Sequence, residues 1–368
     1  MTTDEEPIAA GAPATFEEAR AQFPVLERIA YLNAGTFGPL ARGTYEALST
    51  EIARDYHDGR SGTPNFKRVM ELRERVRAGF GAFVGVAPEH VTLTTSTTDG
   101  CNIVLAGLDL APEDEIVTTT DEHFGLLGAL SVSGARIVVV PPEPDAIRDA
   151  VTPKTRLLAL SQVIWTTGRV LPVRELREET DMTVLVDGAQ SVGAIPVDAS
   201  GMDYLTISAQ KWLCGPDSTG ALVVADPDGL RVAAPSYFSQ AEYELDGTFA
   251  PKPGAARFDP GWWPASSLAA LLAALESRPG WAFEHAAAVA QRCRALLAGR
   301  VELVSPPAGE SSTLVAFRAP GDATELVESL FAEGVHIREI PRTGLVRVSC
   351  GWWTSDSDLD RLLAALPA

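Results

Sequence analysis

Several short stretches place reactive side chains where an apolar run stops. Val184-Leu185-Val186 leads into Asp187-Gly188-Ala189-Gln190-Ser191. A second β-like run leads into Ser208-Ala209-Gln210-Lys211-Trp212. Upstream, Thr94-Thr95-Ser96-Thr97-Thr98 joins a strand-like run to a helix-like one, and Asp121-Glu122-His123 follows another. Near the end, Arg347 stands inside Val346-Arg347-Val348-Ser349. These types supply an amine nucleophile, a carboxylate that can hold a cation or a proton, a flat ring, hydroxyls at a helix start and a planar cation. Alone, each has a commonplace reading. Asp187 could cap a turn, Lys211 could be a solvated charge, and His123 could be an ordinary loop histidine. The threonines could be strand or cap material.

Together they match what pyridoxal 5′-phosphate (PLP) chemistry asks of a protein. A lysine amine must hold the cofactor and later move a substrate proton. A carboxylate must pair with the ring nitrogen so that the ring can accept electrons. Hydroxyls and amides at a helix N-terminus suit a phosphate. A flat side chain must cover the ring, and an arginine fork suits the substrate carboxylate.

The elements that would position these groups can be read from the same sequence. β-like runs occur at Val91–Thr95, Glu115–Thr119, Arg136–Val140, Arg156–Leu160, Thr183–Val186, Tyr204–Ile207 and Ala221–Val224, with helix-like stretches such as Thr98–Leu108 and Val173–Thr180 between them. Runs such as IVVV suit strands covered on both faces. Strands alternating with helices predict an α/β fold around a mostly parallel seven-stranded sheet. Ligands of such sheets bind beyond the carboxyl ends of the strands, where the reactive residues stand. A Pro- and Gly-rich loop is expected at Gly247–Ala256. Beyond it come helix-like Ser266–Leu275 and Ala282–Leu297, strand-like Thr313–Phe317 and His336–Ile340 around helical Ala323–Glu333, then strand-like Leu345–Ser349 and helical Ser357–Leu366. The expected organisation is a tail over 1–14, a large domain over 15–250 and a smaller α/β domain over 251–368.

The bulk numbers narrow the function classes. The 368 residues are 46% hydrophobic, enough for a large core, and no apolar run is long enough for a membrane helix. With 30 basic and 49 acidic residues the net charge is −19, which argues against nucleic acid or an anionic membrane as partner. The acidic N-terminus does not read as a secretory signal, so a cytoplasmic protein is expected. Cys101, Cys214, Cys293 and Cys350 are dispersed without C-x-x-C spacing, and neither a metal site nor a disulfide framework is expected.

VDGAQSVGAIPVD followed by SAQKW resembles the signature of class V aminotransferase-like PLP enzymes of fold type I, and the resemblance runs from YLNAGTFGPL at Tyr31 to VRVSC at Val346. That group includes cysteine desulfurases, cystine C–S lyase, isopenicillin-N epimerase-like proteins and some aminotransferases. GCNIVLAGLDL, DEHFG, WTTGRVLP, VDGAQS, KWLCGP and ARF are most similar to the C–S lyase branch. The resemblance implies a Schiff-base role for Lys211, a ring-nitrogen partner in Asp187 and a stacking ring in His123. It implies phosphate contacts from Thr97, Thr98 and Ser208, and a bond from Gln190 to the cofactor's phenolic oxygen. Arg347 would hold the substrate carboxylate, and Asn33 and Trp165 would line the substrate pocket. A homodimer with active sites near the subunit interface is also implied.

The chain departs from the family pattern in places. Gln210 stands where many members have histidine; either can donate to phosphate, but only histidine titrates near neutrality. Trp165 stands where many desulfurases have asparagine. Gly261-Trp262 replaces a frequent Gly-Thr that reaches the partner subunit's phosphate. Trp263 reads as core rather than pocket wall. The interval Arg338–Arg347, where a desulfurase carries its nucleophilic cysteine, has none. Cys214 and Cys350 read as small buried hydrophobes. The expected function is therefore β-elimination from a sulfur-containing L-amino acid. An aminotransferase or epimerase-like reaction is the alternative, and a PLP-fold binding protein without turnover is the reading from another class.

Overall fold

The computed structural model describes residues 13–367. The tail expected over residues 1–14 falls, for its first twelve, outside the described residues. The chain enters through α1 (Phe16–Arg20), whose Thr15 and Glu18 form a reciprocal capping box. Strand β1 (Ala30–Tyr31) leads to two long helices, α2 (Arg42–Asp58) and α3 (Gly62–Val84). Next come β2 (Val91–Thr94), α4 (Thr97–Gly107), β3 (Glu115–Thr119), α5 (Phe124–Ser131), β4 (Arg136–Val140), α6 (Pro144–Asp149), β5 (Thr155–Ser161), α7 (Val173–Thr180), β6 (Val184–Asp187), β7 (Tyr204–Ser208) and β8 (Gly220–Val224).

These seven strands form one sheet in the order β2-β8-β7-β6-β5-β3-β4. Only β8 runs against its neighbours, so the expected mostly parallel seven-stranded sheet is observed. The reason is visible in burial. β6, β7 and β8 are buried at every position, which requires cover on both faces and hence apolar residues on both. Val186, Leu205 and Ile207 fill one core, while Leu185, Tyr204 and Leu222 fill another across the sheet.

The segment after β8 differs from expectation in one place. Within the stretch read as a loop, β10 (Phe249–Pro251) pairs with β9 (Gln240–Tyr243) as an antiparallel hairpin. Its residues are half-buried or exposed and lack an apolar alternation, so its sequence carries no strand signal. Helix α8 (Ala265–Glu276) packs Leu268, Leu271 and Leu272 into the first core, together with a buried Trp263. Helix α9 (Ala282–Leu297), β11 (Leu314–Arg318), α10 (Ala323–Ala332), β12 (Val335–His336), β13 (Arg338–Ile340), β14 (Leu345–Ser349) and α11 (Asp356–Ala365) complete the chain. The strand-like run His336–Ile340 thus divides. β12 pairs in parallel with β1, whereas β13 pairs antiparallel with β14. Ala30 and Leu32 join Val289, Phe317, Leu330 and Val348 in a separate core, which ties the N-terminal strand to the C-terminal layers. Among the described residues no helix is long and apolar enough to cross a membrane.

Candidate active site

Three adjacent strand ends supply the floor. Asp187 terminates β6 and is 3% exposed; its Oδ1 accepts from Ala189 N at 2.8 Å. In the neighbouring β5, Ser161 stands opposite Asp187 in register. In β7, Ser208 is the last residue, and its Oγ accepts from Thr97 N at 3.2 Å. Thr97 opens α4 and Thr98, exposed, follows it, so the start of the helix lies against Ser208, and the Thr98 hydroxyl lies beside Gly125.

Lys211 follows β7 in a loop held from several sides. Gly38 N donates to the Gln210 carbonyl at 2.8 Å. A Cβ at Gly38 would stand 2.1 Å from the Lys211 carbonyl oxygen, so only glycine permits that approach. Trp212 Nε1 donates to Gln190 Oε1 at 3.0 Å. Desolvation is the largest influence on the Lys211 amine and pushes it down to about 8; Asp187 opposes this, and Arg347 and Arg338 reinforce it. The residue as a whole is only half-buried.

His123 caps α5. Its Nδ1 accepts from Gly125 N at 3.1 Å, which assigns the proton of the neutral ring to Nε2. Partial burial, then Lys211, holds the imidazole below its ordinary pKa. The ring nonetheless presents an exposed face, and it meets Trp165 edge-on at 5.1 Å. A neutral, exposed, fixed ring suits stacking.

Arg347 is the most informative residue. It is 1% exposed in β14, the middle strand of a three-stranded sheet, so it is neither solvent-exposed nor on an edge strand. Nη1 donates to the Trp165 carbonyl at 2.8 Å. Nε and Nη2, the edge whose geometry fits a carboxylate in a bidentate fork, are buried without a partner. Burial, then Arg338, pushes the guanidinium down to about 9, and it remains charged at neutral pH. Gly35 makes room: a Cβ there would stand 2.6 Å from Nη2 and 2.9 Å from Gln190 Oε1.

The other expected residues have the following hydrogen-bond partners. Gln190 Nε2 donates to the Gly35 carbonyl at 2.8 Å while Oε1 receives Trp212, leaving one N–H for a ligand. Gln210 Oε1 and Trp165 Nε1 are buried without partners. Asn33 Oδ1 accepts from Thr36 Oγ1 at 2.8 Å, and Thr36 in turn receives Arg338 Nη1 at 3.0 Å. Asn33 is thus linked to Arg338 through Thr36. The sequence reading gave no site role to Arg338, Gly35, Trp212 or Glu122, which the structure places beside these groups. Arg338 pairs directly across from Arg347 in the β13–β14 register, a relation that the hairpin-like spacing of the two arginines could have suggested.

Buried donors without partners (Arg347 Nε and Nη2, Trp165 Nε1), near a His123 on whose pKa Lys211, Asp187 and Arg347 act, fit an anionic polar group such as PLP with an amino acid. Among the described residues no group of three His, Cys, Asp or Glu side chains could hold a metal ion.

Comparison with known proteins bears on this geometry. The model of the family described as aminotransferase class-V matches residues 33–362. Isopenicillin N epimerase of Streptomyces clavuligerus is 29% identical over 400 aligned positions, covering 97% of this chain and 99% of the relative. A probable cysteine desulfurase of Methanothermobacter thermautotrophicus is 28% identical over 222, covering 56% of this chain and 55% of the relative. Among solved structures, the cystine C–S lyase C-DES in complex with cysteine persulfide superposes with a TM-score of 0.86 at 27% identity, covering 93% of this chain and 98% of that one. A C-DES mutant with glycine covalently linked to its PLP cofactor has the same TM-score and identity, covering 94% and 98%. The expected fold type I architecture is thus borne out.

Proposed function

The chain belongs to the class V aminotransferase family, and from that premise we propose that it is a PLP-dependent C–S lyase acting by β-elimination on a sulfur-containing L-amino acid. The observation that carries the reading is the orphaned Nε–Nη2 edge of Arg347, buried in one cluster with the Lys211 amine. A buried cationic fork without an anion is costly, and an amino acid carboxylate satisfies it.

PLP bound in this site supplies an electron sink for the carbanion at the substrate Cα. Lys211 would hold the cofactor, and its amine would take the Cα proton. Asp187 would face the ring nitrogen, and His123 would cover the ring. The first turn of α4, with Thr97, Thr98, Ser208 and Gln210, would receive the phosphate. Gln190 would donate its free N–H to the phenolic oxygen. Arg347 would fix the carboxylate, with Trp165 and Asn33 beside it. Arg338 adds a second cation to the same site, which suits a substrate with two carboxylates such as cystine.

Support for a lyase over a desulfurase comes from the thiols. All four cysteines are buried, and burial pushes the Cys214 thiol up to about 12, far from a thiolate nucleophile. The epimerase relative keeps an epimerase-like or aminotransferase reaction as the second reading. The proposal includes a cytoplasmic homodimer of large and small domains, with the exposed Trp262 near the interface. Purified enzyme given L-cystine, L-cysteine and a panel of L-amino acids tests the reading. Pyruvate and persulfide from cystine are expected; keto acids from other amino acids, or inversion at Cα without elimination, would replace it by the second reading.

A further inference from the structure

The turn that carries His123 is held from beneath by its neighbour in the chain. Glu122 is 5% exposed. Its Oε1 accepts from Thr119 Oγ1 at 3.0 Å and from Ser161 N at 2.9 Å, and its Oε2 accepts from Ser161 Oγ. Thr119 ends β3, and Ser161 ends β5, the next strand in the sheet. Ser161 is also the register partner of Asp187 at the end of β6, and Gln162 N donates to the Asp187 carbonyl at 3.2 Å. One carboxylate thus joins the strand end before His123 to the strand end beside Asp187.

Glu122 forms no salt bridge among the described residues. Burial pushes its carboxyl up to about 7; the bonds from Ser161 and Thr119 oppose this, and Asp187 adds to it. The titratable groups that face it are Asp187 on β6 and Cys101 on α4, whose thiol is raised by burial, then by Asp187, with Glu122 adding a smaller push. Asp121 and His123 flank it in the chain. A buried carboxylate without a cation is destabilising, and a neutral side chain could satisfy most of the same donors at less cost. Its placement between the two groups that would bracket the cofactor gives the charge a use.

We propose that Glu122 is a positioning residue of the cofactor site, which sets the His123 turn against the Asp187 strand end and couples its own charge to Asp187. When ionised it adds negative potential at Asp187, so a proton shared with Asp187 is held more tightly. As pH falls through neutrality Glu122 takes up a proton and that support is lost. This inference rests on the proposed PLP site, and its test separates the two.

The test titrates PLP into the apo forms of wild type, E122Q and E122A. The dissociation constant is read from tryptophan quenching and the visible spectrum is followed from pH 6 to 9, with thermal melts as a check on folding. In E122Q, Oε1 can keep both Thr119 and Ser161 N as donors while Nε2 donates to Ser161 Oγ. Its dissociation constant should stay within about threefold of wild type, while a spectral step near pH 7 present in wild type disappears. E122A should bind PLP at least tenfold more weakly. Wild-type affinity in a folded E122A overturns the positioning role, and an unchanged spectral step in E122Q overturns the coupling to Asp187. If E122A does not fold, a more than tenfold affinity loss in E122Q also overturns the positioning role, because that variant keeps the bonds. Wild type that fails to bind PLP overturns the cofactor reading itself, and this inference with it.

Discussion

Arg347 Nη1 donates to the Trp165 carbonyl oxygen at 2.8 Å, so the guanidinium is oriented by backbone while its bidentate edge faces no protein acceptor. The strand pairing to β11 and β13 on either side fixes the backbone from which this side chain projects. Arg347→Lys keeps the charge but loses the fork and the Trp165 bond. Its KM should rise at least tenfold, about 1.4 kcal/mol, with PLP affinity unchanged. Saturation kinetics over a range of substrate concentrations check this, and unchanged KM and turnover would return Arg347 to a purely structural role.

Lys211 gives a pH prediction for cofactor capture. Only the neutral amine is a nucleophile. With the amine held at about 8, the neutral fraction at pH 7 is about a tenth, against about one in three thousand for an ordinary lysine. The rate at which apoenzyme captures PLP should therefore climb with pH up to about 8 and level off above it. Stopped-flow absorbance across pH 6 to 10 measures the profile; a rate still climbing tenfold per unit at pH 9.5 contradicts the depressed amine. Lys211→Ala should lose both the borohydride-fixed cofactor and all turnover.

Asp187 offers a cleaner substitution than most buried acids. Its Oδ1 accepts from Ala189 N, and asparagine can keep that bond. Asp187→Asn should fold normally yet lose more than about a hundredfold in turnover, about 3 kcal/mol in barrier, because an amide cannot hold a proton on the ring nitrogen. A melt within a few degrees of wild type combined with full activity would mark Asp187 as a strand-end cap.

Much of this site was legible because strand ends and residue types carry it. IVVV and VLVD both read as strands, although IVVV forms the edge strand β4 with Val139 exposed and is not covered on both faces as its apolar run suggested; a lysine or aspartate just after such a run falls at the mouth of the sheet. What was not legible depends on partners far apart in sequence. Arg338 gains its meaning from facing Arg347 across a strand pair, and Glu122 from Ser161, 39 residues away. Gly35 looks like any loop glycine until Arg347, more than 300 residues on, is packed against it. The hairpin Gln240–Tyr243 with Phe249–Pro251 escaped because Pro and Gly punctuation suggests a loop and no buried face imposes alternation.

The buried ion cluster behind β2 gives a stability prediction. Asp259 accepts from Arg73 at 3.0 Å, from Arg77 at 2.7 and 3.1 Å, from Thr92 Oγ1 at 2.9 Å and from Leu93 N at 3.2 Å. Burial alone would raise its carboxyl, but Arg77 and Arg73 outweigh that and hold it below the ordinary range. A depressed carboxylate stabilises the fold above its unfolded pKa of about 4 and loses that contribution as pH falls through the folded value. Asp259→Asn leaves buried Arg73 without its carboxylate and Arg77 with only the exposed Glu74, and should cost about 3–5 kcal/mol at neutral pH, with a smaller difference from wild type below about pH 3. Denaturant melts at pH 7 and pH 3 decide it; a constant difference at both would dissociate the loss from charge.

The cysteines provide the decisive test of the chemistry. A desulfurase needs a thiolate that can reach the substrate, whereas elimination expels the leaving group from the substrate's own β-carbon. Here Cys101, Cys214, Cys293 and Cys350 are all buried, and no cysteine lies between Arg338 and Arg347. Replacing each by Ala or Ser should cost stability in proportion to the packing lost, since the sites are filled. It should leave the chemical step intact in protein that folds and binds PLP. L-Cystine given to the fourfold variant should yield pyruvate at a rate within a few-fold of wild type, with no sulfur carried on the protein. The measurement is pyruvate, alanine and protein-bound persulfide, each followed for the fourfold variant and for single replacements at Cys214 and Cys350. Alanine formation that vanishes with either single replacement would make that thiol the sulfur acceptor and the enzyme a desulfurase. Keto acid from another amino acid, with cystine and cysteine untouched in every variant, would place the reaction in the aminotransferase branch.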